Sequence, residues 1–406
     1  MLYHNSHPSG RHFLQIPGPT NVPDRVLRAM DFPTIDHRGP EFQALGKKVL
    51  ADLKKIFQTE SHVILYPASG TGAWEASLVN TLSPGDHVLM YETGHFATLW
   101  KKLADKLSLK TEFIPGDWHR GVDAAKIESR LMEDSAHEIK AVCVLHNETS
   151  TGVTSDIPAV RRAIDNAKHP ALLYVDTISS LASIDYRHDE WGVDVTVGGS
   201  QKGLMLPPGM SFNAISAKAI AASQNAKLPR SFWSWDEILE ANKKGFWPYT
   251  PPTNLIYGLS EACDMLLGEG LENVFKRHQR LAESTRRAVR AWGMELMCQN
   301  PAEYSNTLTA VVMPKDKSGQ FCNADELRKT ILRNFNLSLG TGLSKVAGWV
   351  FRIGHLGDFN DLALLGALAG VEMGFELAGV PYVKGGVQAA MSYLSSTATD
   401  VQTRKA

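Results

Sequence analysis

Val193-Asp-Val-Thr-Val-Gly-Gly-Ser-Gln-Lys-Gly-Leu-Met-Leu-Pro-Pro-Gly209 is the stretch that decides how this chain folds. It opens as an alternating apolar run, the pattern of a buried strand, and ends in two glycines. Lys202 then stands among small polar residues with no acid beside it, and Pro207-Pro-Gly209 closes the segment. Upstream, Ala171-Leu-Leu-Tyr-Val-Asp176 is a second apolar run, and its terminal acid lies 26 positions before the lysine (202 − 176). Similar short runs cover His62 to Pro67, His87 to Tyr91 and Ala141 to His146, with helix-like segments at Gly72 to Leu82 and Ile157 to Ala167. This alternation predicts an α/β fold whose mostly parallel sheet is covered on both faces. Such sheets bind ligands in the crevice at the carboxyl ends of their strands.

Farther along, from about Leu255 to Trp292, the pattern turns helical and charged, with a break at Gly268 to Gly270. Strand candidates at Thr307 to Met313 and Trp349 to Ile353 then mark a smaller α/β unit. The expected division is an N-terminal arm over 1–20, a large domain over 21–275, a small C-terminal domain over 276–395 and a polar tail over 396–406. Composition is that of an ordinary globular protein, 43% hydrophobic and 21% charged over 406 residues. A net charge of −1 gives no electrostatic footprint for nucleic acid or an anionic membrane. The four cysteines have no C-x-x-C spacing, so neither a disulfide framework nor a metal site is indicated, and a reducing compartment fits best. The N-terminus lacks the basic start and apolar core of a signal peptide, and no apolar run is long enough to span a bilayer. The expected location is the cytoplasm.

The chemistry lies at the strand ends. A lysine becomes a nucleophile only after losing its proton, and Gly198-Gly-Ser-Gln-Lys-Gly203 keeps Lys202 away from solvated ion pairs. An acid ending an apolar run, as Asp176 does, is costly to bury unless paired. A pyridinium nitrogen is such a partner, and the carboxylate keeps that ring protonated as an electron sink. Together the two point to pyridoxal 5′-phosphate (PLP), against the plainer readings of a surface lysine and a turn or N-cap aspartate. Ser69-Gly-Thr-Gly72 sits between a strand and a helix, where free backbone N–H groups suit a phosphate. Phe96 is a flat side chain able to stack on a pyridine ring or to serve as ordinary core. Its neighbour His95 reads as structural or solvent-facing. In His146-Asn-Glu-Thr-Ser-Thr-Gly152, Thr149 is placed to bond the cofactor or Asp176, while Glu148 fits either a loop-orienting or a cofactor-contacting role. Arg352, inside the apolar run Phe351-Arg-Ile-Gly354, would be expensive to bury unless it faces an anion such as a carboxylate or an internal salt-bridge partner.

These motifs together resemble the class V aminotransferases of PLP fold type I, in the serine–glyoxylate and alanine–glyoxylate group, with the serine–glyoxylate branch nearest. The resemblance runs from about Pro17 to Pro381 and includes Pro17-Gly-Pro-Thr-Asn21, Asp36-His-Arg38, Gly199-Ser-Gln-Lys202 and Pro248-Tyr-Thr-Pro251. It implies a large domain with a seven-stranded, mostly parallel sheet, and a homodimer that shares its active sites. Lys202 would be the Schiff-base lysine, Asp176 the pyridinium partner, and Arg352 the ligand of the substrate α-carboxylate. Ser69, Gly70, Thr71 and Gln201 would hold the phosphate, Ile178 would pack under the ring and Phe96 above it. Thr250 and an aromatic just before it would reach the phosphate of the neighbouring subunit. Relatives tend to have Tyr where this chain has Trp247, which leaves Trp247 and Tyr249 as alternatives for that contact. The reaction implied is transamination from a small L-amino acid to glyoxylate, serine being the first candidate donor and aspartate or alanine the alternatives. Arg38 would favour an acidic donor if it lay near the pocket. A cysteine desulfurase or a lyase on the same fold is a remoter reading. Cys322 superficially suits the first of these, but Gln201 and Phe96 stand where that group carries histidines.

Overall fold

The structure, a computed structural model, describes residues 10–398. Residues 1–9 of the expected arm and 399–406 of the expected tail lie outside the described residues. A seven-stranded sheet forms the larger layer. In spatial order its strands are His62–Tyr66, Ser211–Ile215, Val195–Gly199, Leu172–Asp176, Ile139–Leu145, His87–Tyr91 and Lys110–Ile114. All neighbours pair in parallel except Ser211–Ile215, which runs antiparallel to both of its partners. The five strands read from apolar runs in this region lie within two residues of their expected ends. Two strands escaped that reading. Lys110–Ile114 is a half-exposed edge, and Ser211–Ile215 carries a polar residue at its centre. That residue, Asn213, is buried and satisfied: it donates to the carbonyls of Thr196 and Ala73 and accepts the Tyr66 hydroxyl at 3.0 Å.

A second sheet has five strands in the order Phe13–Gln15, Leu337–Thr341, Val350–Gly354, Leu308–Val312 and Glu295–Leu296. Phe13–Gln15 pairs in parallel with Leu337 to Leu339, so this part of the N-terminal arm is an edge strand of the C-terminal sheet. The long helices Thr253–Glu269 and Leu271–Ala291 are separated at Gly270, whose φ of +82° is a left-handed conformation that glycine adopts without penalty. One buried apolar cluster extends from Val26 to Val274 and a second from Leu281 to Leu394, so the second long helix passes from one core to the other. A small third cluster packs Trp118, on a loop of the larger unit, against Leu308, Ala310 and Val350 of the second sheet. The two layers therefore close on each other beside the carboxyl ends of the parallel strands. Among the described residues no helix is long and apolar enough to cross a membrane.

Candidate active site

Asp176 ends its strand at 3% exposure, in the apolar run that the sequence marks as buried. Burial pushes its carboxyl up to about 7, although two donors favour the ionised form. The backbone N–H of Ile178 donates to Oδ1 at 2.7 Å and the indole N–H of Trp74 to Oδ2 at 2.8 Å. Lys202, on the turn after the neighbouring strand, is 8% exposed. Burial, assisted by the Arg352 charge, lowers its amine to about 7, against a smaller pull from Asp176. Its Nζ donates to the carbonyl of Pro17. Gly18 follows at φ +100°, and a Cβ there would collide with the Lys202 side chain. Thr20 completes the contact by donating its backbone N–H to Gln201 and its hydroxyl to the Lys202 carbonyl, at 3.1 and 3.2 Å. The Pro17-Gly-Pro-Thr20 segment thus lies against the lysine, a contact that the sequence did not disclose.

Arg352 lies inside the strand Val350–Gly354 at 7% exposure. Its Nε donates to Thr341 O at 2.8 Å and its Nη1 to Thr149 O at 2.7 Å. Among the described residues no carboxylate pairs with it, so the internal salt bridge weighed from the sequence is absent. Burial brings its guanidinium down to about 10, with Glu148 supporting the charge, so it remains a cation at neutral pH. The arm links this strand to the lysine. A Cβ on Gly340, opposite Arg352 in the sheet, would strike Pro17 and the Arg352 side chain, while the Pro17 carbonyl holds Lys202. A buried amine of lowered basicity, a buried carboxylate and an unpaired guanidinium therefore converge from two sheets.

The family model for aminotransferase class-V matches residues 12–346. The chain belongs to the class-V aminotransferases. Serine–glyoxylate aminotransferase of Arabidopsis thaliana is 48% identical over 95% of this chain and 96% of its own. L-aspartate–glyoxylate aminotransferase of Paracoccus denitrificans is 45% identical over 96% and 98%. Among solved structures, pyridoxamine–pyruvate aminotransferase from Mesorhizobium loti superposes with a TM-score of 0.89 at 26% identity, covering 97% of this chain and all of its own. The α/β architecture is accordingly that of the PLP-dependent transferases of fold type I, as the resemblance implied, and the family implies PLP as cofactor.

The residues of this aminotransferase fit that cofactor. The helix Gly70–Thr81 begins at the carboxyl end of the first parallel strand, with no acid in its first turn and no side-chain cap on its N-cap, Ser69. Ser69 and Thr71 are exposed there, and Gly70 lies so close to Ile178 that a Cβ would collide with it. The side-chain amide oxygen of Gln201, Oε1, is buried beside Gly199 without a partner among the described residues, and it is the NH2 group of that amide that could donate to a phosphate. Phe96 stands half-buried in the first turn of the helix His95–Lys106. Glu148, fully buried, accepts from the backbone N–H groups of Phe96 and Ala97 at 3.4 and 3.2 Å and from Ser150. Of the two roles open to it, this geometry is the loop-orienting one. Thr149 is buried and offers its carbonyl to Arg352. His95, half-buried, bonds Ser344 Oγ at 2.8 Å across to the second unit.

Near the end of the strand that leads into the Ser69-to-Gly72 turn, Trp247 is buried against Phe42, and its indole N–H donates to Leu65 O at 3.1 Å. Tyr249 is less buried, donates its hydroxyl to the same carbonyl at 3.2 Å and stacks on Phe232 with centroids 4.5 Å apart. Thr250 and Arg38 are exposed. Arg38 has no ion-pair partner among the described residues and uses its backbone N–H to bond Asp36. Cys322 is half-exposed on its loop in the second unit. Sequence reasoning missed Trp74, because an indole inside a helix reads as core unless its N–H is given a partner.

Proposed function

We propose that the chain is a PLP-dependent aminotransferase that moves the amino group of a small L-amino acid, serine first, onto glyoxylate, yielding glycine and a 2-oxo acid. The observation that carries this reading is the meeting of Lys202 and Asp176 with a buried Arg352 that has no carboxylate partner among the described residues. PLP, when bound, supplies an electron sink for charge developing at the substrate Cα. Arg352 holds the α-carboxylate in its guanidinium fork and so orients the Cα–H bond. Lys202, whose amine loses its proton near neutrality, takes the Cα proton and returns it on the other side of the exchange. Asp176 keeps a counter-charge at the pyridine nitrogen. Ser69, Gly70, Thr71 and Gln201 hold the phosphate, Ile178 and Phe96 sandwich the ring, and Thr149 bonds its polar edge.

A homodimer belongs to this reading, with Thr250 and an aromatic neighbour completing the phosphate site of the partner. Trp247 is committed to its own core, which makes Tyr249 the better of the two aromatics for that contact. The division into a large unit up to about residue 275 and a smaller one beyond is supported by the change of core between Val274 and Leu281. Serine is favoured as donor by the Arabidopsis thaliana relative, and aspartate remains the alternative through that of Paracoccus denitrificans. Two measurements test the proposal. Purified protein supplied with PLP should gain a visible absorbance band that Lys202→Ala loses. Glycine formation from glyoxylate should then be fastest with serine in a panel containing aspartate and alanine. Absence of the band defeats the cofactor assignment, and a faster aspartate or alanine reaction reassigns the donor.

A further inference from the structure

We infer that Trp74 is a positioning residue for the cofactor, holding Asp176 through its indole N–H so that the carboxylate meets the pyridine nitrogen ionised and in a fixed orientation. This rests on the cofactor reading given above and adds a residue to it. Trp74 is 3% exposed and donates to Asp176 Oδ2 at 2.8 Å, while the Ile178 N–H holds Oδ1 at 2.7 Å. Each carboxylate oxygen thus has one donor, which defines the plane of the group and leaves its remaining lone pairs for a third. Trp74 is also the fifth residue of the helix Gly70–Thr81, whose first turn forms the phosphate end of the site. One rigid helix therefore spaces the two ends of the cofactor site, about 6 Å apart along its axis.

The indole is fixed in turn by Trp100, stacked on it with centroids 5.7 Å apart and planes 11° apart. Trp100 is wholly buried, and its own Nε1 has no hydrogen-bond partner among the described residues. The two tryptophans therefore share packing, but only Trp74 can act on Asp176 by hydrogen bonding. Three charged groups bear on this question. Asp176 is opposed by Glu148 and attracted by Lys202, and burial outweighs both, so a lost donor shifts it toward the protonated form.

The test uses the full-length apoprotein and pyridoxamine 5′-phosphate, which reaches the ring site without bonding covalently to Lys202, with affinity read by calorimetry. Trp74→Phe keeps an aromatic ring against Trp100 and removes the N–H; Trp74→Leu serves the same comparison should the Phe variant not fold. Affinity at neutral pH should fall about tenfold, the scale of one hydrogen bond to a charged group. The acid limb of the affinity profile should move to higher pH, because Asp176 would need a higher pH to ionise. Trp100→Phe should lower the melting temperature while leaving affinity within about twofold. In an Asp176→Asn background, Trp74→Phe should have almost no further effect on affinity. Wild-type affinity in Trp74→Phe, an equal loss in Trp100→Phe, or an undiminished loss on top of Asp176→Asn overturns the inference while leaving the cofactor reading intact. Wild-type protein that binds no pyridoxamine 5′-phosphate overturns both.

Discussion

Lys202 and Arg352 are buried almost equally, at 8% and 7% exposure, yet they end in opposite states. The lysine sits on a glycine-rich turn of the large sheet, and burial together with the Arg352 charge brings its amine to about 7. The arginine sits within a strand of the small sheet, and the same kind of burial leaves it at about 10. The difference is chemical before it is positional. An ammonium is a compact, strongly hydrated charge that desolvation readily neutralises, whereas a guanidinium spreads its charge and starts from a higher basicity. The surroundings then widen the gap. Arg352 has two carbonyls accepting its N–H groups and Glu148 in support against a smaller push from Arg328, while Lys202 has one carbonyl and a repelling cation that outweighs the pull of Asp176. One environment leaves an amine that exchanges its proton near neutrality and the other a guanidinium that stays charged, the states that the proposed roles require.

The largest expected effect follows from exchanging the two chemistries. Arg352→Lys places a second desolvated ammonium where a fork is needed, and it cannot reach both Thr341 O and Thr149 O while clasping a carboxylate. Steady-state kcat/KM for the amino-acid donor should fall about a hundredfold, with PLP uptake unchanged. Near-wild-type turnover would mean that charge alone suffices and that the comparison above misplaces the fork.

Next in size is the apoprotein with Lys202→Met. Lys202 holds its proton up to 10.5 when unfolded but only to about 7 when folded. Between these values the unfolded chain binds more protons, so wild-type stability rises with pH across that window. Methionine removes the dependence. Its melting temperature should exceed that of the wild-type apoprotein by several degrees near pH 7, a gap that closes as pH approaches about 10. A gap that is absent, or that grows with pH, would show that burial does not set the state of the lysine.

How far the sequence carried this picture also divides between the two regions. The parallel strands were legible because each is a short run of apolar residues bounded by turn chemistry, and buried strands have few other ways to be written. Ser211–Ile215 was not, because Asn213 looks like a loop residue until the carbonyls of Thr196 and Ala73 and the Tyr66 hydroxyl satisfy it. Leu337–Thr341 was missed because Ser338, Gly340 and Thr341 interrupt its apolar run, and Phe13–Gln15 because it has only three residues and its partner lies far away in the chain. At the site, Asp176 and Arg352 stood out as charges in apolar runs, and Lys202 as a lysine among small polar residues with no acid beside it. Trp74 and Pro17 did not, since an indole N–H and a backbone carbonyl leave no charge pattern to read. Glu148 was visible as a polar residue after a strand, but its role depended on which N–H groups would face it.

Glu148 supplies the smallest and most discriminating of the expected effects. Its carboxylate is fully buried and accepts from Phe96 N, Ala97 N and both donors of Ser150. Burial pushes its pKa up, and those four bonds oppose the shift. Glu148→Gln has nearly the same shape but only one accepting oxygen, and its amide N–H groups would confront the donors that the carboxylate now satisfies. Leaving one donor unmet costs about 1–3 kcal/mol, which should lower the melting temperature by a few degrees. The helix His95–Lys106 would loosen at its first turn, where the N–H groups favour a negative charge. Phe96 is carried on that turn, so cofactor affinity should fall only severalfold, far less than the loss of donor kcat/KM in Arg352→Lys. A loss of donor kcat/KM as large as that of Arg352→Lys, with stability unchanged, would instead make Glu148 an electrostatic support of Arg352 rather than the clamp of its neighbouring helix.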